Sequence, residues 1–216
     1  MTDLSWSTSW DSVLAYEEQI LPNTYHLTIN FDIVTDNGDE QNIAFERMKY
    51  FIDRVLHDSI FSSIDDEKNP FFMENFKQKL VTFPMPPQDL AIVSALFAKF
   101  RTIVDGRMDI ISLELSSTQG DNVRINYDEE FAEDGNILDS HELLKAAEST
   151  PWWYRNDSGS ADFFKLDPES NQIMFVTDVT GWEGTDLQWP EEEPKKSKKD
   201  ASNWNPTIIP GGKTQH

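Results

Sequence analysis

His26-Leu27-Thr28 is the shortest stretch of this chain whose residue types and spacing could do chemistry. Residues two apart on a β-strand share a face. An imidazole and a hydroxyl placed that way can hold one phosphoryl oxygen between them, with the imidazole as acid or base. The surrounding pattern supplies the strand. Tyr25, Leu27, Ile29, Phe31 and Ile33 alternate strictly with His26, Thr28, Asn30 and Asp32, which is the signature of one apolar and one polar face. His26 and Thr28 are therefore the candidate catalytic pair. The plainer reading of the same row is a solvated strand face.

A repeated His-x-Thr or His-x-Ser pair on the two sides of a cleft marks the two-histidine phosphodiesterases, and His26-Leu27-Thr28 resembles one such motif. His57-Asp58-Ser59 matches the second motif formally. It departs from the pattern because its surroundings read as helix, where residues two apart point about 200° from each other. The separation of about thirty residues is also short for two symmetric halves. The resemblance rests on three residues and implies phosphodiester cleavage with His26 and Thr28 in one half of the site.

Other chemistries find less support. Asp32, Asp36, Asp39 and Glu40 crowd one segment, and Asp128, Glu129, Glu130, Glu133 and Asp134 another. Neither has the spacing of a calcium loop, and the histidines are scattered, so no metal site is expected. There are no cysteines, which removes disulfides, thiol nucleophiles and thiolate ligands. There is no Gly-x-Ser-x-Gly and no glycine-rich phosphate loop, and no cofactor is expected. Trp152-Trp153-Tyr154-Arg155 is densely aromatic. It reads as a wedge closing the core or, failing that, as a partner-binding hot spot together with Trp204.

The elements that must position these groups follow from periodicity. The polar row needs a helix against the strand's apolar side. Ala44, Met48, Phe51, Ile52, Val55, Leu56 and Ile60 supply a helical stripe, after a turn in which Asn37-Gly38 is expected to take positive φ. Residues 13–21 read as a short helix stopped by Pro22, residues 71–80 as another, and residues 88–104 as a long one ended by Asp105-Gly106. Residues 108–116 and 123–127 alternate and form a hairpin, with Ile111, Leu113 and Leu115 facing in. Residues 140–148 read as a helix and 172–177 as a strand. The expected class is α+β, with a mainly antiparallel sheet, helices packed on one face and an extended C-terminal tail. The expected division is a single domain over residues 1–190 and a charged linker and flexible tail over 191–216.

Charge sets the function classes. Of 18 basic and 39 acidic side chains, residues 195–216 hold five and one, leaving 13 against 38 in residues 1–194, a balance of −25. Such a surface repels nucleic-acid phosphates and anionic membranes and attracts basic proteins. No apolar run approaches a membrane span and no signal peptide is visible, so a cytoplasmic protein is expected. In texture (acidic, cysteine-free, aromatic-rich, with extended ends) the chain resembles uncharacterised small acidic proteins of tailed, marine-type phages. That resemblance is one of composition. It implies a host cytoplasm and no activity. The leading expectation is a non-enzymatic interaction or regulatory protein that binds a basic protein partner. The alternatives are the phosphodiesterase and a structural or assembly component that docks through its termini.

Overall fold

The computed structural model describes residues 4–16, 19–76, 79–134, 138, 150–156, 158, 163–166 and 173–176. The chain opens on a long hairpin, β1 (Leu4–Tyr16) and β2 (Gln19–Ile33), paired in register from Leu4 opposite Phe31 to Tyr16 opposite Gln19. This replaces the helix expected over residues 13–21. The misreading has a physical source. Leu14 faces the main core while Val13 and Ala15 pack on a second, smaller cluster on the other side of the sheet. Covered on both faces, that end of β1 loses its period-2 signal. Pro22 is tolerated because β5 pairs with β2 only as far as Ser117 opposite Tyr25, so β2 has an unpaired side at the proline.

Next come α1 (Gly38–Tyr50), β3 (Ser59–Ser63), α2 (Asn69–Asn75), β4 (Lys79–Phe83), α3 (Asp89–Ile103), β5 (Met108–Ser117), β6 (Ile125–Asp128) and α4 (Glu129–Asp134). A 3₁₀ turn at Trp152–Tyr154 and a separate hairpin of β7 (Phe163–Leu166) with β8 (Ile173–Val176) complete the described elements. Asn37-Gly38 is a helix start and not a positive-φ turn. Asn37 caps α1, its side chain accepting from the Asp39 N–H, as Asn favours at that position. The helix then loosens into one π-helical stretch, Phe51–Leu56, closed by a His57 N–H to Ile52 carbonyl bond of 2.9 Å. A wider turn brings Phe51, Ile52, Val55 and Leu56 onto the core side together. Ile60, expected on the same stripe, lies in β3 and faces the second cluster.

The fold is α+β, and its six-stranded sheet has the order β4-β3-β1-β2-β5-β6. The sheet is mixed, which corrects the expected antiparallel one: β3 runs parallel to both β1 and β4, while β1–β2, β2–β5 and β5–β6 are antiparallel. Helices lie on both faces. α1 and α3 cover the inner face, and Phe72 of α2 packs with Ala15, Ile60 and Leu80 on the outer one. Chirality explains this. The connection through α2 moves one strand outward, whereas α3 carries the chain back across the sheet to β5. Right-handed crossovers that travel in opposite directions lie on opposite faces. Since α2 is short, it covers only the parallel end, and no helix among the described residues covers the outer face of β2, β5, β6 and the first half of β1.

The inner core is closed at its far side by the aromatic segment. Trp152 and Trp153 are each 1% exposed. Trp152 stacks on Phe51 at 5.6 Å and donates from its indole N–H to the Thr82 carbonyl at 2.9 Å. Lys99 of α3 is fully buried, its Nζ donating to the carbonyls of Trp152 and Arg155, both at 2.9 Å. No helix among the described residues is long and apolar enough to cross a membrane. Residues 177–216, which include the linker and tail expected over 191–216, and the helix expected over 140–148 lie outside the described residues.

At the start of α3, Asp89 is half buried against the β5–β6 loop. Ser117 Oγ lies 2.8 and 2.9 Å from its two carboxylate oxygens and accepts from the Gly120 N–H at 3.0 Å. A Cβ on Gly120 would collide with Asp89 Oδ2, so glycine is what permits this approach. Burial raises the Asp89 pKa, and the Ser117 hydrogen bond only partly offsets it. The folded protein therefore holds this proton more tightly than the unfolded chain does. Asp89 costs stability as pH rises from its ordinary value through the raised one, and that cost vanishes as pH falls back. Asp89→Asn is expected to be at least as stable as the parent at neutral pH, with its advantage shrinking towards pH 4. Urea midpoints of both proteins across this range measure it.

Candidate functional site

The hairpin and β5 lay the polar row out as a ladder. Outward on β1 are Ser5, Ser7, Ser9 and Asp11; on β2, Thr24, His26, Thr28, Asn30 and Asp32; on β5, Asp109, Ser112, Glu114 and Ser116. The inward residues Tyr25, Leu27, Ile29 and Phe31 are buried, and that burial fixes the register, because a slip of one residue would turn every polar group inward. Cross-strand hydrogen bonds tie the rows: Ser7 and Thr28 hydroxyls at 2.9 Å, Thr24 Oγ1 to Asp11 Oδ1 at 2.7 Å, and Asn30 Nδ2 to Ser112 Oγ at 2.9 Å.

A shallow groove of about 340 Å³ runs over the middle of this face, and Ser7, Ser9, His26, Thr28, Glu114, Ser116 and Arg124 line it. His26 stands between its register partners Ser9 and Ser116. Arg124 is 3.2 Å from Glu114. The structure thus brings His26 and Thr28 together in one groove. His57 is not among the groove's lining residues. It sits beyond β1 at the end of the π-helical stretch, its Nδ1 accepting from the Asp11 N–H at 3.3 Å. Asp58 takes φ 55° and Ser59 is buried, its hydroxyl bonded to the Leu56 carbonyl. His57 and Ser59 therefore do not present a second pair to the groove.

One end of the face is more acidic than the ladder as a whole. Asp32 and Asp109 are direct register partners on the outward side. They lie past a β-bulge at Ile111, which is 41% exposed and not core as its alternation suggests. Like charges directly opposite each other are destabilising. Asp128 lies on the same side of β6, opposite Ser112. Among the described residues no three His, Asp or Glu side chains form a group that could hold a metal ion.

A scan against protein-family models and a search of curated proteins both give no match.

The remaining candidates separate cleanly. Trp152 and Trp153 are core and offer no surface, whereas Tyr154 is 37% exposed. Trp204 lies outside the described residues. Trp10 is buried and stacked on Tyr25 at 5.1 Å, and Trp6 packs on Phe45 at 4.6 Å. The residues that sequence reasoning missed are Ser7, Ser9, Asp109, Glu114, Ser116 and Arg124. A signal for the first two existed: Ser5, Ser7, Ser9 and Asp11 alternate with Trp6, Thr8 and Trp10.

Proposed function

We propose that this protein is a non-enzymatic acidic binding module, and that the open outer face of β1, β2, β5 and β6 receives a basic segment of a protein partner. The observation that carries this reading is the charge of a face no described helix covers. Asp11, Asp32, Asp109, Glu114 and Asp128 point outward from it. Its one permanent cation among the described residues, Arg124, is already paired with Glu114. The Ser and Thr hydroxyls between the carboxylates can accept hydrogen bonds from Lys and Arg, which only donate. The opposed pair Asp32 and Asp109 gains most, because a cation laid across it relieves a repulsion as well as making an attraction. The same carboxylates weigh against a phosphodiester substrate, whose charge they repel.

The test is a titration with a deca-lysine peptide, followed by amide chemical shifts. At low salt, shifts confined to the outward face, with Ser7, His26, Thr28, Asp32, Asp109 and Glu114 among them, and weakening steeply with added salt, are expected. Shifts scattered over the whole acidic surface, or none, would overturn the proposal. Deca-glutamate is expected to leave the face unchanged.

A further inference from the structure

The chain itself contains a segment with the chemistry this face would take. Residues 195–199 read Lys-Lys-Ser-Lys-Lys, in a protein whose preceding 194 residues hold 38 acidic side chains against 13 basic ones. We infer that this segment docks in cis across the outward face of β1, β2 and β5, and so competes with the external basic partner. The inference rests on the binding-module reading above and adds its regulation.

Reach permits it. β7 lies against β4, and β4 is three strand spacings from β2, about 14 Å. From Val176, the end of β8, to Lys195 the chain has 19 residues, which span at most about 60 Å when extended and about 24 Å on average as a flexible coil. An attached segment within such a radius has an effective concentration on the order of millimolar, well above that of most separate partners. Charge complementarity argues for the face. Asp32 and Asp109 oppose each other there, Glu114 lines the groove, and Asp11 points outward two residues beyond Ser9 on β1. The carboxylates nearest in sequence, Glu191, Glu192 and Glu193, are weaker competitors: ion pairs between long side chains of one short segment contribute little, whereas the sheet holds its carboxylates in fixed positions.

The absence of cysteine from the whole chain allows a clean test. A nitroxide attached at S197C in the full-length protein is expected to broaden the amide resonances of His26, Thr28 and Asp32 at low salt. It should leave Asn42 and Glu46 on α1 sharp, and the broadening should vanish at high salt. Uniform broadening or none overturns the inference. So does broadening seen only when the nitroxide and the isotope label sit on different molecules, which would make the contact one between copies. Deca-lysine separates this inference from the reading beneath it. If the peptide shifts the same resonances while the nitroxide leaves them sharp, the site stands and its occupation by the tail falls. If neither acts on them, both fall. With the tail docked as inferred, K195Q/K196Q/K198Q/K199Q in the full chain binds deca-lysine severalfold more tightly than the parent does, and the gain is lost when D32N/D109N is added.

Discussion

Trp152→Ala is expected to destabilise the fold by about 3–5 kcal/mol, the usual cost of removing a fully buried tryptophan. Three contributions converge on this side chain. It stacks on Phe51, meets Phe83 and Trp153 edge to face, and satisfies the buried Thr82 carbonyl. Lys99→Met is expected to cost about 2–4 kcal/mol, because it keeps the packed stem but leaves the carbonyls of Trp152 and Arg155 without that donor. The effects are not independent. The lysine grips the backbone of the very residue whose ring fills the core, so the double variant should fall short of the sum of the two. Urea unfolding followed by circular dichroism gives all three values. Against a typical domain stability of about 5–15 kcal/mol, either change removes a large share. A cost below about 1 kcal/mol for Trp152→Ala would mean that residues 151–155 do not close the core. In the folded molecules deca-lysine binding should be unchanged, because neither side chain reaches the outer face.

Asp32→Asn and Asp109→Asn are expected to move stability and binding in opposite directions. Each removes one of two like charges held directly opposite on the sheet, so each single variant should gain about 0.2–1 kcal/mol of stability. The second substitution should add little, since the repulsion is already gone. Affinity for a basic peptide should fall with each, and in the double variant by about tenfold or more at low salt, equivalent to about 1.4 kcal/mol. The loss should shrink as salt screens the remaining field. A structural role alone predicts destabilisation on substitution, and a merely solvated face predicts no change in binding. A gain in stability with a loss of binding is the mark of residues whose charge serves recognition at a cost to the fold.

The parts of the fold legible in the sequence are those where one face alone is buried. β2 carries apolar residues at every second position because only its inner face is packed among the described residues, and the alternation placed His26, Thr28, Asn30 and Asp32 on one polar side, as found. α3 shows its ends because Pro86 and Pro87 precede it and Asp105 and Gly106, both at positive φ, follow it. Where burial is two-sided the pattern fails. Val13, Leu14 and Ala15 are read as helix because α2 covers their outer side, an event of tertiary structure. Ile111 is read as core because a bulge cannot be seen in an alternating string. The π-helical stretch is invisible for a similar reason, since its wider turn only broadens an apolar stripe already present.

His26 and Thr28 share a face by the geometry of one strand, and no other part of the molecule is needed to say so. The company they keep was decided by folding. Ser7 and Ser9 come from a strand hidden by its apolar end. Glu114, Ser116 and Arg124 come from a hairpin almost ninety residues later in the chain. The opposition of Asp32 and Asp109 depends on a bulge that resets the register by one residue. Strand periodicity is local and repeats every two residues, so sequence displays it. Which strands become neighbours, and in what register, is set by long-range burial of Tyr25, Leu27, Ile29 and Phe31 against α1 and α3. That burial turned an isolated polar row into an acidic, hydroxyl-lined face.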